Sequence, residues 1–347
     1  MNILRPQHPD SDYWPQITVE LTNVCNLHCG YCVRDDEALR QTRARFFPPD
    51  LLRGVINSAR EVCGLRYVSF TGGEATIHPQ FGDILGVVES AGLQCGFITN
   101  GWHFDRVYPA LLAHREAVRV VAFSLDGATE QAHDRWRSEG SFVRVMKAIA
   151  RCHFHNFPFI IKTVIRRDTV PQFEQIALLV ARLGASALHF SHLLPTSAEF
   201  EAELALSLSE RERAEQEIGI LAKVLKMPVG VSVGHYDLNP DPPCPALRGL
   251  SCNVDYRGRL TLCCNLSGYR GAAEEPDVVA DLTREEFAAA YARLRQTAEA
   301  QVARRREALA VKLRNGGKVD LNVGSPCLFC LRSFGKIPWQ AGVIGHN

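Results

Sequence analysis

Residues 16–32 read QITVELTNVCNLHCGYC, a short apolar run followed at once by three closely spaced cysteines. A run of this kind is typical of a buried β-strand. Similar runs recur as far as residue 191, with amphipathic helical stretches between them. The predicted strands are 17–22, 66–70, 96–99, 118–124, 159–166 and 187–191. Six βα units in series predict an α/β fold, a partial (β/α)6 TIM-like barrel with helices on its outer face.

The rest of the chain predicts a second, smaller unit. A helix at 207–226 and a strand at 229–233 precede the proline cluster 239–243, which marks a boundary. A further helix is expected at 283–314. The predicted division is an N-terminal extension 1–15, a barrel 16–200, a bridging region 201–243 and a small C-terminal α+β iron–sulfur domain 244–347.

The overall composition excludes several classes of protein. Hydrophobic residues make up 46% of the 347 residues and charged residues 22%, which is ordinary for a globular protein and excludes disorder. No apolar run reaches the roughly 18 residues of a membrane span. A net charge of +1 gives no general attraction to nucleic acid or membranes. Residues 1–15 lack the apolar core of a signal peptide, so we expect a cytoplasmic protein.

The chain has twelve cysteines, nine of which fall in two groups. In a reducing compartment, grouped cysteines indicate metal binding more often than disulfides. The remaining three, Cys63, Cys95 and Cys152, stand alone in apolar stretches and are expected to be small buried hydrophobes.

The first group, Cys25, Cys29 and Cys32, has spacings that suit an iron–sulfur cluster or a zinc ion. Structural zinc needs four ligands, and the loop offers only His28 as a strained fourth. A cubane cluster held by three cysteines leaves one iron open to a small ligand.

A second motif, SFTGGE at 69–74, follows the second predicted strand. Paired glycines let the backbone approach a ligand closely, although a tight turn explains them equally well. Because the carboxyl ends of parallel strands lie at one edge of the sheet, this loop should face the cysteine loop.

Together the two motifs resemble the radical S-adenosylmethionine (radical SAM) family, whose CxxxCxφC corresponds to the first cysteine group with Tyr31 as the aromatic residue. The resemblance implies a [4Fe–4S] cluster that chelates S-adenosylmethionine (SAM). It also implies reductive cleavage of SAM to a 5′-deoxyadenosyl radical, which abstracts a hydrogen atom from the substrate of an oxidoreductase or related enzyme. One departure is Ala75, where the family commonly has proline.

The resemblance also implies contacts with SAM. Glu74 would receive its ammonium group, and Arg137, in an HDxxR segment, would bind its carboxylate, although a solvated helix face is an alternative for Arg137. The full set implied by the resemblance is Tyr31, Gly72, Gly73, Glu74, Asn100, Ser124 and Arg137.

The second cysteine group includes Cys244, Cys263 and the pair Cys327 and Cys330. A predicted β-hairpin with its turn near Arg257-Gly258 would bring the first two together. The residues alone leave zinc and an iron–sulfur cluster open. The pattern resembles the SPASM/Twitch extension of radical SAM enzymes, which implies one auxiliary [4Fe–4S] cluster on these four cysteines. Cys252 is the alternative to Cys244, and Cys264 should point to the opposite face of its strand.

Residues 291–318 carry eight Lys or Arg against two Glu. A solvated helix is the favoured interpretation. The alternative is a docking face for an acidic peptide or for a flavodoxin- or ferredoxin-type electron donor.

For the substrate, the leading hypothesis is oxidation or epimerisation of a small alcohol, sugar or aminocyclitol. Modification of a ribosomally made peptide is the alternative, tempered by the few residues before Ile17. A non-catalytic, metal-stabilised binding protein is the third. The general base is not identified by any motif, and the possible proton acceptors are His189, His192, His235, Tyr236 and Asp237.

Overall fold

The computed structural model describes residues 15–34, 43–241, 244–270, 272, 275–314 and 318–343. The six predicted βα strands are confirmed, with ends that differ by at most two residues. The strands are β1 (Gln16–Glu20), β2 (Tyr67–Thr71), β3 (Gln94–Thr99), β4 (Val118–Ser124), β5 (Phe159–Ile165), β6 (Ala187–His192), β7 (Val229–Val233), β8 (Ser251–Val254), β9 (Arg259–Thr261) and β10 (Val278–Asp281).

The helices lie between these strands and after them. They are α1 (Pro49–Cys63), α2 (Phe81–Ser90), α3 (Phe104–Ala113), α4 (Glu130–Asp134), α5 (Ser141–Phe154), α6 (Phe173–Arg182), α7 (Ala198–Leu204), α8 (Leu208–Val224), α9 (Phe287–Arg314), α10 (Leu321–Gly324) and α11 (Pro326–Ser333). Most of the predicted extension, residues 1–14, lies outside the described residues.

All the described strands belong to one sheet, in the order β10-β9-β8-β1-β2-β3-β4-β5-β6-β7. β8 and β1 to β7 are parallel, and only β9 and β10 are antiparallel to their neighbours. The prediction of six parallel strands was therefore too low. β8 pairs with β1, Gln16 lying opposite Ser251, so the C-terminal region adds a strand directly to the barrel sheet.

Short, largely apolar strands such as these are expected to be buried on both faces, but their inner face is partly exposed. Along β5 the residues alternate between buried and partly exposed. Ile161 and Ile165 face the helices and are at most 1% exposed. Val164, on the opposite face, packs near Tyr31 and Cys29. The helix-covered face is thus the apolar core, and the inner face is the accessible surface of the barrel.

The amphipathic pattern of residues 129–153 predicts a single helix, but the structure has two helices there, α4 and α5. Between them Gly140 has φ of 77°, a left-handed conformation that breaks the helix. The carboxylate of Asp134 accepts hydrogen bonds from the backbone N–H of Gly140 at 2.6 Å and of Phe142 at 2.8 Å. Asp134 therefore fixes the start of α5, a capping role that the sequence pattern did not reveal.

Within the described ranges, no helix combines the length and the apolar character needed to cross a bilayer.

Candidate functional site

The first cysteine group lies in the loop after β1. The Sγ of Cys25 accepts a hydrogen bond from Leu27 N–H at 3.4 Å, and Cys32 N–H donates to Cys29 O at 3.0 Å. Burial raises the pKa of Cys25 to about 12, and the charges of Glu74, Cys29 and Cys32 add to that rise. The three thiols are therefore close enough to influence one another. Metal ligation requires thiolates, so a cationic group is needed here to ionise them.

The GGE loop after β2 packs directly on the cysteine loop. Gly73 N–H donates to Thr22 O at 2.8 Å, and Glu74 N–H donates to Val24 O at 2.9 Å. A Cβ on Gly73 would lie 2.0 Å from Val24 O, and one on Gly72 would lie 2.4 Å from Thr22 O. The two glycines are thus required for contact between the loops, in addition to any approach to a ligand.

Glu74 is a buried carboxylate surrounded by neutral donors. Its Oε1 accepts from Thr76 Oγ1 at 2.6 Å and Thr99 Oγ1 at 2.7 Å, and its Oε2 accepts from Asn100 N–H at 2.8 Å. The Asn100 side chain donates to Asn26 Oδ1 at 3.0 Å and lies 3.8 Å from the Sγ of Cys25. None of the described Lys, Arg or His side chains forms an ion pair with Glu74.

Tyr31 and Arg137 meet at Asp126, just beyond β4. Arg137 Nε donates to Asp126 Oδ2 at 2.7 Å, and Tyr31 Oη donates to the same oxygen. Burial alone would raise the pKa of Asp126, but Arg137, Arg166 and the Tyr31 hydrogen bond lower it to about 2. The predicted carboxylate-binding guanidinium is therefore held by a carboxylate of the protein through Nε.

Arg166, directly after β5, is a residue that the sequence analysis missed. It is fully buried, 4.9 Å from the Tyr31 ring centroid and 4.6 Å from that of Trp136. Its Nε donates to Asp168, while Nη1 and Nη2 have no partner in the described part of the chain. An arginine at the carboxyl end of a predicted inner strand was the available signal. Ser124, at the end of β4, pairs with Lys162 of β5 through its backbone and is partly exposed, and its hydroxyl forms no hydrogen bond with the described residues.

The structure brings the second cysteine group together from three segments. Cys263 follows β9, Cys327 and Cys330 lie on α11, and Cys244 precedes β8. Burial raises the pKa of Cys327 to about 12, with a further rise from the charge of Cys244. Burial also raises the pKa of Cys330, as do the charges of Cys244 and Cys327. A hydrogen bond with Cys264, burial and the charges of Cys264 and Cys244 raise the pKa of Cys263. Cys244 therefore lies near each of the other three predicted ligands.

Cys252 lies apart from this group. It is buried within β8, and among the cysteines its charge interacts with that of Cys63 on α1. Cys264 neighbours Cys263, and its thiol also interacts with Arg34, Glu20 and Lys162. The structure therefore places Cys244 near Cys327 and Cys330, and it places Cys252 apart from them. Cys95 and Cys152 are fully buried, whereas Cys63 is partly exposed.

In the ranges described, no three His, Cys, Asp or Glu side chains converge closely enough to bind a single metal ion. The cysteines of an iron–sulfur cluster bind different iron atoms, so they are not held to the spacing of a mononuclear site.

Several of the possible proton acceptors are already engaged, Asp237 among them, since its Oδ1 accepts a hydrogen bond from Asn239 N–H at 2.8 Å. His192 is hydrogen-bonded to Glu215 at 2.8 Å, and burial lowers its pKa to about 4. Tyr236 Oη donates to Val319 O at 2.8 Å. His189 lies beside Lys162 in the register of β5 and β6, on the inner face. His235 and Asp237 are partly buried in the loop after β7.

Much of the charge in the basic stretch is neutralised. Arg306 pairs with Asp241 at 2.5 Å and Lys312 with Asp320 at 3.1 Å. Arg293 pairs with Glu285. Arg305 has no ion pair with the described residues, but it is buried and therefore not part of an exposed face. These contacts favour the interpretation of α9 as a structural helix.

Residues 19–180 match the family model described as the Radical SAM superfamily. An "AdoMet-dependent heme synthase" of Oleidesulfovibrio alaskensis is 27% identical over 62% of this chain and 54% of its own length. "Mycofactocin maturase MftC" of Mycobacterium ulcerans is 28% identical over 71% of this chain and 67% of its own. "PqqA peptide cyclase" of Gluconobacter oxydans is 25% identical over 71% and 69%. The chain thus spans between half and about two thirds of the length of these relatives.

The fold has solved counterparts. SuiB of Streptococcus suis bound to the precursor peptide SuiA gives a TM-score of 0.61 at 13% identity, covering 81% of this chain and 66% of that one. At this identity the likeness shows the fold alone. Together with the family match and the loops at the ends of β1 and β2, it leads to one conclusion: residues 19–180 of this chain are a radical SAM domain.

Proposed function

We propose that this protein is a radical SAM enzyme that modifies a peptide substrate. The observation that carries the proposal is the junction of the cysteine loop with the GGE loop at the carboxyl ends of β1 and β2. Ligands of α/β folds bind at this edge of the sheet.

The donor set fits the family's cofactors. Cys25, Cys29 and Cys32 would hold a [4Fe–4S] cluster, because thiolates are its usual ligands. With SAM bound, that cluster supplies the electron for reductive cleavage of the SAM carbon–sulfur bond and hence the hydrogen-atom abstraction. Glu74 forms no ion pair with the described Lys, Arg or His side chains, so its carboxylate is suited to bind the ammonium group of SAM.

Other residues of the chain would orient SAM. The hydroxyl of Ser124 has no protein partner in the described ranges and can donate to a carboxylate. Within the described residues Arg137 is hydrogen-bonded to Asp126 through Nε, which leaves its Nη atoms for a ligand. Together with the Nη atoms of Arg166, which lack a partner in the same ranges, they provide positive charge on the same side as Tyr31. Asp126 holds Arg137 and Tyr31 in place by its hydrogen bonds.

Cys244, Cys263, Cys327 and Cys330 would hold the auxiliary cluster of a SPASM/Twitch-type domain spanning 244–347. A site with four thiolates has no open iron, so its role would be to accept an electron or to stabilise the C-terminal fold. A flavodoxin- or ferredoxin-type donor would reduce the first cluster. These assignments follow the resemblance and the grouping of the thiols.

The relatives favour a peptide over the small alcohol, sugar or aminocyclitol that the sequence analysis preferred. One relative is named a peptide cyclase, and one structural counterpart binds a precursor peptide. An open groove of about 730 Å³ between α7 and the segment before α11 is large enough for a ligand. Arg167, Glu201 and Lys318 line it, and such mixed charges suit a peptide chain.

The test is anaerobic reconstitution followed by iron analysis and product detection. We expect about eight irons per chain, two clusters of four, and 5′-deoxyadenosine that depends on dithionite. Any short peptide encoded beside the gene should then change in mass on incubation with the enzyme, whereas free amino sugars should not. Iron binding without any 5′-deoxyadenosine would instead indicate a non-catalytic, metal-stabilised protein.

A further inference from the structure

Two polar residues interrupt the apolar stripe of α9. The buried positions recur every three or four residues, and they are Phe287, Ala290, Leu294, Ala298, Gln301, Arg305 and Leu309. Gln301 is 1% exposed and Arg305 is fully buried. Side chains as polar as these are rarely buried unless a partner requires them.

Gln301 faces the second cysteine group. Its Nε2 lies 3.6 Å from the Sγ of Cys330 and donates a hydrogen bond to it. Its Oε1 is buried and has no partner among the described residues. Gln301 therefore leaves its own acceptor unsatisfied while it donates to a sulfur atom.

Arg305, one helical turn further on, is held only by backbone carbonyls. Its guanidinium donates to Asn239 O at 2.7 Å, to Val323 and Gly324 O at 3.2 Å, and to Asp237 O. These carbonyls belong to the two segments that lead to Cys244 and to Cys327. No carboxylate in the described ranges forms an ion pair with Arg305, but the charge of Asp237 acts on it, followed by those of Cys330, Cys327 and Cys244.

We propose that Gln301 and Arg305 raise the reduction potential of the auxiliary cluster, an inference that rests on the proposed function. Reduction adds one negative charge to a cluster. A buried cation and an N–H donor to a ligand sulfur stabilise that charge, since hydrogen bonds to sulfur and net charge set these potentials. The two residues therefore favour electron uptake by this cluster, as an electron acceptor requires.

The experiment is a potentiometric titration followed by electron paramagnetic resonance. The background is the full chain with Cys25, Cys29 and Cys32 replaced by alanine, which leaves the auxiliary site as the only [4Fe–4S] site. In Arg305→Met we expect the ratio of reduced to oxidised cluster at a fixed potential to fall about tenfold, equivalent to about 59 mV for one electron. Gln301→Leu should also lower this ratio, by a smaller factor than Arg305→Met.

Two further variants separate charge from structure. Arg305→Lys keeps the charge but loses several of the guanidinium hydrogen bonds. The reduction potential of the auxiliary cluster in this variant should therefore stay nearer that of the background than in Arg305→Met. Arg306→Met, at the next position, removes a charge from a side chain that is 58% exposed and should leave the potential unchanged.

The outcomes are distinct. A background that binds no iron would refute the auxiliary site of the proposed function. Full iron content with unchanged potentials in Gln301→Leu and Arg305→Met would overturn the inference alone. An equal shift in Arg306→Met would also overturn it. If Arg305→Met loses its iron, the proposal is tested by Gln301→Leu alone, and an unchanged potential in that variant would overturn it.

Discussion

The first cysteine group comes from a single loop, whereas the second is drawn from three segments far apart in the sequence. Hydrogen bonds of the barrel backbone fix the first loop, such as Gly73 N–H to Thr22 O. The second group depends on α11, the turn after β9 and the segment before β8, which Arg305 helps to connect. The first site should therefore exist before any metal binds, while the second should gain much of its order from the metal.

The largest expected contrast is in catalysis. Cys29→Ala should abolish 5′-deoxyadenosine formation with a near-native circular dichroism spectrum, because Cys29 packs only against the small cluster around Tyr31 and is not part of the main apolar core. The double variant Cys327→Ala and Cys330→Ala should still cleave SAM, at least slowly, since the first site remains. Chromatography of 5′-deoxyadenosine measures both. Equal loss in the two variants, both folded, would contradict a division of labour between the sites.

A second prediction tests the junction of the two loops. Gly73→Ala forces a Cβ to within 2.0 Å of Val24 O and should cost about 3 kcal/mol of stability. Displacement of the cysteine loop should lower the iron content from about eight to about four per chain. Gly54→Ala is the matched control, because a Cβ there meets nothing within 4 Å on α1. Full iron content in Gly73→Ala would show that the loop does not depend on this contact.

A third prediction concerns metal removal. After chelation of iron, hydrogen exchange in β9 and α11 should accelerate by about 100-fold, because the thiols alone do not hold these segments together. Exchange in β3 and β4 should be unaffected, since these central strands are paired on both sides and lie in the apolar core. Mass spectrometry of the exchanged peptides measures both regions. Uniform protection in the metal-free protein would mean that the second site is also preformed.

The fourth prediction concerns the ion pair between Asp126 and Arg137. Asp126→Asn should lower the free energy of unfolding by about 3 kcal/mol, because Arg137 is left buried without its partner. The folded pKa of about 2 lies below the ordinary 3.8, so the stabilisation is complete above 3.8 and is lost as the pH falls toward 2. Denaturant titrations should therefore show the difference between wild type and variant shrinking over that interval.

Asp105→Asn is the control for this prediction. The pair of Asp105 with Arg151 is exposed on both sides and should contribute less than about 1 kcal/mol. A similar loss of stability in the two variants would contradict a special role for Asp126.

The parts of the site that lie close together in sequence were predictable. Cys25, Cys29 and Cys32 share one loop, and the GGE motif follows a strand that pairs with its neighbour along the chain. The strand pattern likewise predicted β1 to β6, because each βα unit is local. The hairpin turn at Gly258, with φ of 85°, was confirmed for the same reason.

Features that depend on distant partners were not predictable. Arg305 lies in a run of three arginines that is indistinguishable from a solvated helix face, yet only this one is fully buried. Arg166 was counted as part of a strand, and its position between Tyr31 and Trp136 depends on three separate segments. The pairing of β8 with β1 joins residues from opposite ends of the chain, and no local pattern indicates it.

The pairing of β8 with β1 has a consequence for folding during synthesis. β1 precedes β8 in the chain, so one of its edges stays unpaired until residue 254 has been synthesised. An open apolar strand edge is a template for pairing with other chains. The nascent chain must therefore protect this edge until β8 is made, and a chain that stops before β8 should aggregate rather than form a smaller stable barrel.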